Sequence, residues 1–181
     1  MFSLKAKEIK EWILLIASAV VIAVVLRIFV IEPRYVPTPS MVPTIMVDDK
    51  LYVEKLSVRF GELRRGMIVI FKDPETTGSQ DYLVKRLIGL GGDSIKISEG
   101  QLWVNDQAVD EPYLNEPMKS DFPEVTVPEG QVFLMGDNRN HSQDSRSWGT
   151  VDEDCISGQA LFIYYPVSHW GSLWGQRMKF K

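Results

Sequence analysis

The 181-residue chain has one cysteine, Cys155, and two histidines, His141 and His169. A single cysteine excludes an intrachain disulfide. Cys155 stands beside Ile156 and reads as a small core residue; a reactive free thiol is the alternative. No group of His, Cys and carboxylates has metal-ligand spacing, so no metal and no cofactor is expected. A second long apolar run is missing near the carboxyl end, which leaves one segment able to span a bilayer. Past residue 32 no amphipathic helical pattern exceeds two turns, which argues against a helical bundle. Positive excess is missing too. Residues 32–181 hold 16 Lys+Arg against 22 Asp+Glu, a net of −6, so nucleic acid is not an expected partner.

The one long apolar run is Trp12 to Ile31, broken only by Ser18 and Arg27. Twenty helical residues span about 30 Å, the thickness of a hydrocarbon core. Arg27 lies one turn from the end, where its side chain can snorkel to the headgroups. Lys5, Lys7 and Lys10 precede the run and favour a cytoplasmic amino terminus. The expected layout is a cytoplasmic stretch at 1–11, an anchor at 12–31 and an extracytoplasmic domain at 32–181. A cleaved signal peptide would need small residues before the cut, and Val30-Ile31-Glu32-Pro33 lacks them.

Pro33, Pro37, Pro39 and Pro43 follow the anchor and predict a rigid irregular loop. Strands are predicted at Leu51–Val53, Met67–Phe71, Tyr82–Leu90, Val132–Met135 and Leu161–Tyr165, with a hairpin from Ile95 to Val104 turning at Glu99-Gly100. The fold class is mainly β. Residues from about 100 to 130, rich in Pro, Asp and Glu, read as a smaller insert or cap.

Ser40 lies nine positions past Ile31, about 30 Å at full extension. That holds it close to a membrane surface. A serine hydroxyl needs a base before it can attack. His141 is the histidine in polar company. A neutral lysine can do the same work when burial lowers its pKa. Lys85 shares one strand face with Leu83 and Leu87, while the other face, with Val84 and Ile88, is also apolar. Periodicity alone leaves open a lysine snorkelling from a strand edge. Asp137 and Asn138 read as residues that shape a turn through side-chain hydrogen bonds. Trp170, Leu173 and Trp174 read either as an interfacial group or as cover for the core.

Four blocks, in order, resemble bacterial type I signal peptidase. They are Thr38-Pro39-Ser40-Met41-Val42-Pro43-Thr44, Arg65-Gly66-Met67-Ile68-Val69, Tyr82 to Asp93, and Gly136 to Gly149. The resemblance covers roughly Ile31 to Pro166. It implies an antiparallel β catalytic core with a smaller β insert, and Ser40 as nucleophile with Lys85 as general base. It further implies an oxyanion hole from Thr38 and the Ser40 N–H, Ser142 orienting the lysine, and Asp144 with Arg146 as a structural ion pair. Met67 stands where that family usually has aspartate, and Gly91 where it usually has proline.

The expected activity is removal of signal peptides from exported preproteins by a Ser/Lys endopeptidase cleaving after small residues. Expected partners are preprotein signal peptides and the lipid bilayer. The expected state is a monomer in a bacterial cytoplasmic membrane, single-pass, with the catalytic domain outside. A self-cleaving Ser/Lys protease of the SOS-repressor type is a rival, and the anchor argues against it. A catalytically silent tethered binder is another, and intact Ser40 and Lys85 argue against that.

Overall fold

A computed structural model describes residues 2–73, 82–174 and 178–180. The chain opens with helix α1 (Phe2–Phe29), of which Lys7–Phe29 is long and apolar enough to cross a membrane. No part of that span is buried against the rest of the protein. Strand β1 (Ile31–Tyr35) follows at once and pairs with β2 (Lys50–Glu54). Ile31 lies in the first strand, past the end of the apolar helix. Of the irregular loop expected around Pro33, Pro37, Pro39 and Pro43, only Pro33 falls in a strand, an open edge where its missing N–H is not needed, while residues 36–49 are irregular apart from one 3-10 turn. The Lys55 N–H donates to Val30 O (2.9 Å), and Lys55 Nζ reaches Ile28 O (3.2 Å) and Glu32 (2.6 Å), tying helix to sheet.

Next come a short helix α2 (Leu56–Phe60), β3 (Ile68–Lys72), β4 (Tyr82–Gly89), β5 (Ser94–Ser98), β6 (Gln101–Val104) and β7 (Gln107–Asp110). They are followed by β8 (Phe122–Thr126), β9 (Gln131–Met135), a one-turn helix α3 (Ser145–Trp148), β10 (Val151–Asp152), β11 (Ile156–Tyr165), β12 (Gly171–Ser172) and β13 (Lys179–Phe180). The larger sheet runs β1-β2-β11-β3-β4-β9-β10, with β12 paired to β11; the smaller runs β13-β7-β6-β5-β8. Neighbouring strands are antiparallel, as mainly β hairpin architectures favour. The smaller sheet begins at Ser94, so the Ile95–Val104 hairpin is part of the cap rather than a feature preceding it.

Both faces of the central strands β3 and β4 are covered. Ile68 and Ile70 pack with Val36, Met41, Ile45, Leu51 and Val53 on one side. Val69 and Phe71 pack with Leu87, Val132 and Leu134 on the other. A third cluster, around Ile88, Ile95, Leu102 and Phe133, joins the smaller sheet to the larger. Cys155 packs half-buried against the second cluster. Leu173, at 5% exposure, is a core residue and cannot meet a membrane, whereas Trp170 and Trp174 are exposed. The grouping of these three residues is corrected on that point.

Candidate active site

β4 is an aliphatic run paired on both sides, with Lys85 opposite Val69 and Arg86 opposite Ile68 and Met135. The pairing leaves Lys85 3% exposed. Ser40 is delivered by the proline-rich loop. Thr38 is extended (φ −119°, ψ 149°), as a residue before proline must be. Pro39 then starts a single 3-10 turn through Met41, where its missing N–H costs nothing. Met41 and Ile45, both fully buried, pin that turn to the core.

The result is a contact across 45 residues: Lys85 Nζ donates to Ser40 Oγ at 2.7 Å. Thr38 Oγ1 lies 3.3 Å from the same hydroxyl. A cleft of about 220 Å³ opens over them, lined also by Pro39, Leu83, His141 and Trp148. Burial lowers the Lys85 pKa to about 8, against the opposing pull of Asp144, Asp73 and Asp137. A larger cavity of about 320 Å³ lies beside α2, lined by Ser57, Arg64, Met67 and Trp174. Among the described residues that line it there is no lysine to meet a serine, so the smaller cleft is the candidate site.

The segment from Gly136 to Arg146 closes the site. The Asn138 N–H donates to Ser40 O (2.9 Å) and Asn138 Nδ2 to Pro39 O (3.1 Å), which fixes the backbone at Ser40. Asp137 is not a mere turn residue. It is fully buried and takes both Nε (2.8 Å) and Nη2 (2.6 Å) of Arg86, with Thr44 Oγ1 donating to it at 2.5 Å. Sequence reading missed Arg86. The available signal was an arginine inside a strand with two apolar faces, a position that demands a buried partner.

Asp144 and Arg146 form an ion pair at 2.8 Å. Asp144 also accepts from the Gly136 N–H (3.0 Å), and Arg146 donates to Arg139 O (2.7 Å). Ser142 caps the 3-10 turn Arg139–His141 at its carboxyl end. Its hydroxyl donates weakly to Gln143 O (3.4 Å), and among the described residues no bond links it to Lys85. The lysine is oriented in this state by its strand and by Ser40. His141 is exposed and shares its ring nitrogen with Asn138 Oδ1 (3.2 Å).

The family model for signal peptidase, peptidase S26, matches residues 9–165. The chain belongs to that family. It is 44% identical over 170 residues to a probable signal peptidase I-1 of Synechocystis sp., covering 91% of this chain and 87% of that protein. It is 39% identical over 175 residues to signal peptidase I of Bacillus licheniformis, covering 91% and 92%. A solved signal peptidase I from Enterococcus faecalis V583 is 32% identical, with a TM-score of 0.49 over 54% of this chain and 96% of that one. As a member of this family the protein is a serine peptidase, a hydrolase. One of its departures from the signal peptidase pattern has a local cause. A Cβ at Gly91 would lie 3.0 Å from Glu129 Cα and 3.2 Å from Pro128 O, so this chain's own packing crowds any side chain there.

Proposed function

We propose that the protein is a membrane-anchored Ser/Lys endopeptidase that removes amino-terminal signal peptides from exported preproteins, cleaving after small residues. The observation that carries this reading is the 2.7 Å contact between a buried Lys85 amine and the Ser40 hydroxyl. Neutral Lys85 Nζ takes the hydroxyl proton as Ser40 Oγ attacks the scissile carbonyl carbon. The developing oxyanion accepts from the Ser40 N–H and the Thr38 hydroxyl. Pro39 has no N–H to offer, so a side-chain donor at Thr38 is the sensible complement. The Lys85 ammonium then gives its proton to the departing amine as the C–N bond breaks. Water, deprotonated by the same amine, hydrolyses the Ser40 ester. Asp144 and Arg146 hold the loop behind the dyad.

The apolar span of α1 and the exposed Tyr165, Val167, Trp170 and Trp174 support a site held at a bilayer surface. The three lysines before the span support an amino terminus inside a bacterial cytoplasmic membrane and a catalytic domain outside. A single chain contains the whole dyad, which supports a working monomer.

Preprotein cleavage by the full chain in detergent, followed from pH 6 to 10, tests the reading. The rate should climb as Lys85 loses its proton, with an apparent pKa near 8 and well below the roughly 10.4 of a free lysine. Lys85→Arg should be inactive, because guanidinium cannot deprotonate, and His141→Ala should keep most activity. A flat profile, or a loss of orders of magnitude in His141→Ala, would remove lysine from the role of base.

A further inference from the structure

Two arginines bracket the dyad. Arg86 follows Lys85 on β4, and Arg139 follows Asn138, whose backbone holds Ser40 O. Each binds the catalytic segment directly: Arg86 through Asp137, and Arg139 through a 3.0 Å bond from Nε to Gly136 O. Further partners of both come from the short loop that leaves β7 of the smaller sheet. The Tyr113 ring lies 3.8 Å from the Arg86 guanidinium carbon. The Tyr113 hydroxyl donates to Glu111 Oε1 (2.6 Å), and Glu111 accepts from Arg139 Nη1 (2.7 Å) and Nη2 (2.6 Å). Arg139 is fully buried and Glu111 is 5% exposed. A closed path therefore runs from the strand of the base, through Arg86, Tyr113, Glu111 and Arg139, to the loop that holds the nucleophile.

A buried pair of this kind can be packing only, and apolar residues often serve stability as well. Here, however, the loop that leaves β7 touches both halves of the dyad's support at once. We propose that Glu111 and Tyr113 are positioning residues, through which the smaller sheet sets the register of Ser40 against Lys85. The catalytic part of this proposal rests on the Ser/Lys reading. Neither residue touches substrate. They act by holding Arg86 and Arg139, and a displacement of about 1 Å at a reacting pair can cost about a hundredfold in rate.

The test compares full-length Tyr113→Leu, Tyr113→Phe and Glu111→Gln in detergent. Tyr113→Leu should lower kcat at least about tenfold, with KM within about twofold. Tyr113→Phe keeps the ring over Arg86 and should restore most of kcat; Glu111→Gln should fall between. Hydrogen exchange supplies a second readout. In Tyr113→Leu the Asn138 amide, which donates to Ser40 O, should exchange about tenfold faster while the β5–β6 amides keep wild-type protection. If Tyr113→Leu does not fold, Glu111→Gln must show the same selective exchange. Loss of rate only in proportion to unfolded protein, faster exchange across the whole smaller sheet, or wild-type behaviour would each overturn the proposal. Exchange needs no turnover. A wild-type chain that cleaves no preprotein would therefore sink the Ser/Lys reading, and exchange would still decide whether the smaller sheet holds the loop.

Discussion

Lys85 sits in a strand covered on both faces, and its lowered pKa has a consequence for stability as well as for catalysis. The folded value is about 8, against 10.5 for an ordinary lysine. Between those two pH values the unfolded chain binds more protons, so this group makes stability rise with pH. Below pH 8 the cost of burying the ammonium is fully present; above about 10.5 it is gone. A shift of that size corresponds to about 3 kcal/mol. Lys85→Met should therefore raise Tm at pH 6 and lose most of that gain by pH 10.5. Calorimetry at the two pH values is the check, and an unchanged or lower Tm at pH 6 would contradict a destabilising buried amine.

At the scale of elements, the turn after β9 is the tightest constraint on the site. A Cβ on Gly136 would collide with the Ser142 hydroxyl and with the Ser40 carbonyl oxygen. The second of these is backbone and cannot swing aside. Gly136→Ala should therefore push Ser40 away from Lys85 and lower kcat about a hundredfold, and steady-state kinetics would show it. Near-normal turnover would mean that the turn yields easily. The central strands of this scaffold were legible in the sequence because β3 and β9 are nearly continuous apolar runs and β4 is one interrupted only by Lys85 and Arg86. Six strands were not: β7, β10, β12 and β13 are only two to four residues long, and β1 and β8 each carry a proline, Pro33 and Pro123. Each proline-bearing strand lies at the edge of its sheet, where proline is tolerated and hydropathy alternation is weak. The meeting of Lys85 with Ser40 was legible only through the flanking blocks, since periodicity alone leaves Lys85 an ordinary lysine. The Arg86–Asp137 pair joins residues 51 apart, and no local pattern encodes such a partnership. The Ser142 expectation was a role carried over by resemblance, and the local turn gives its hydroxyl another acceptor.

Across the whole molecule, charge divides along the same line as the sheets. Residues 94–130 hold two lysines against eight Asp and Glu. That stretch carries the entire net charge of −6 outside the anchor, and the remainder of residues 32–181 balances. Three exposed aromatic side chains, Tyr165, Trp170 and Trp174, lie instead at the end of β11 and in the segment beyond it, beside the larger sheet that holds β1 and β2. An acidic sheet is repelled by anionic lipid, so this division favours a domain that lies with its aromatic side toward the bilayer and its smaller sheet away. The central claim is that this assembly cuts preproteins through Ser40. The most direct measurement reconstitutes the full chain in liposomes, adds a purified preprotein and maps the products by mass spectrometry. The expected result is one new amino terminus immediately after a small residue, with no product from Ser40→Ala. Comparable product from Ser40→Ala, or an intact preprotein with the wild-type chain, would contradict the account.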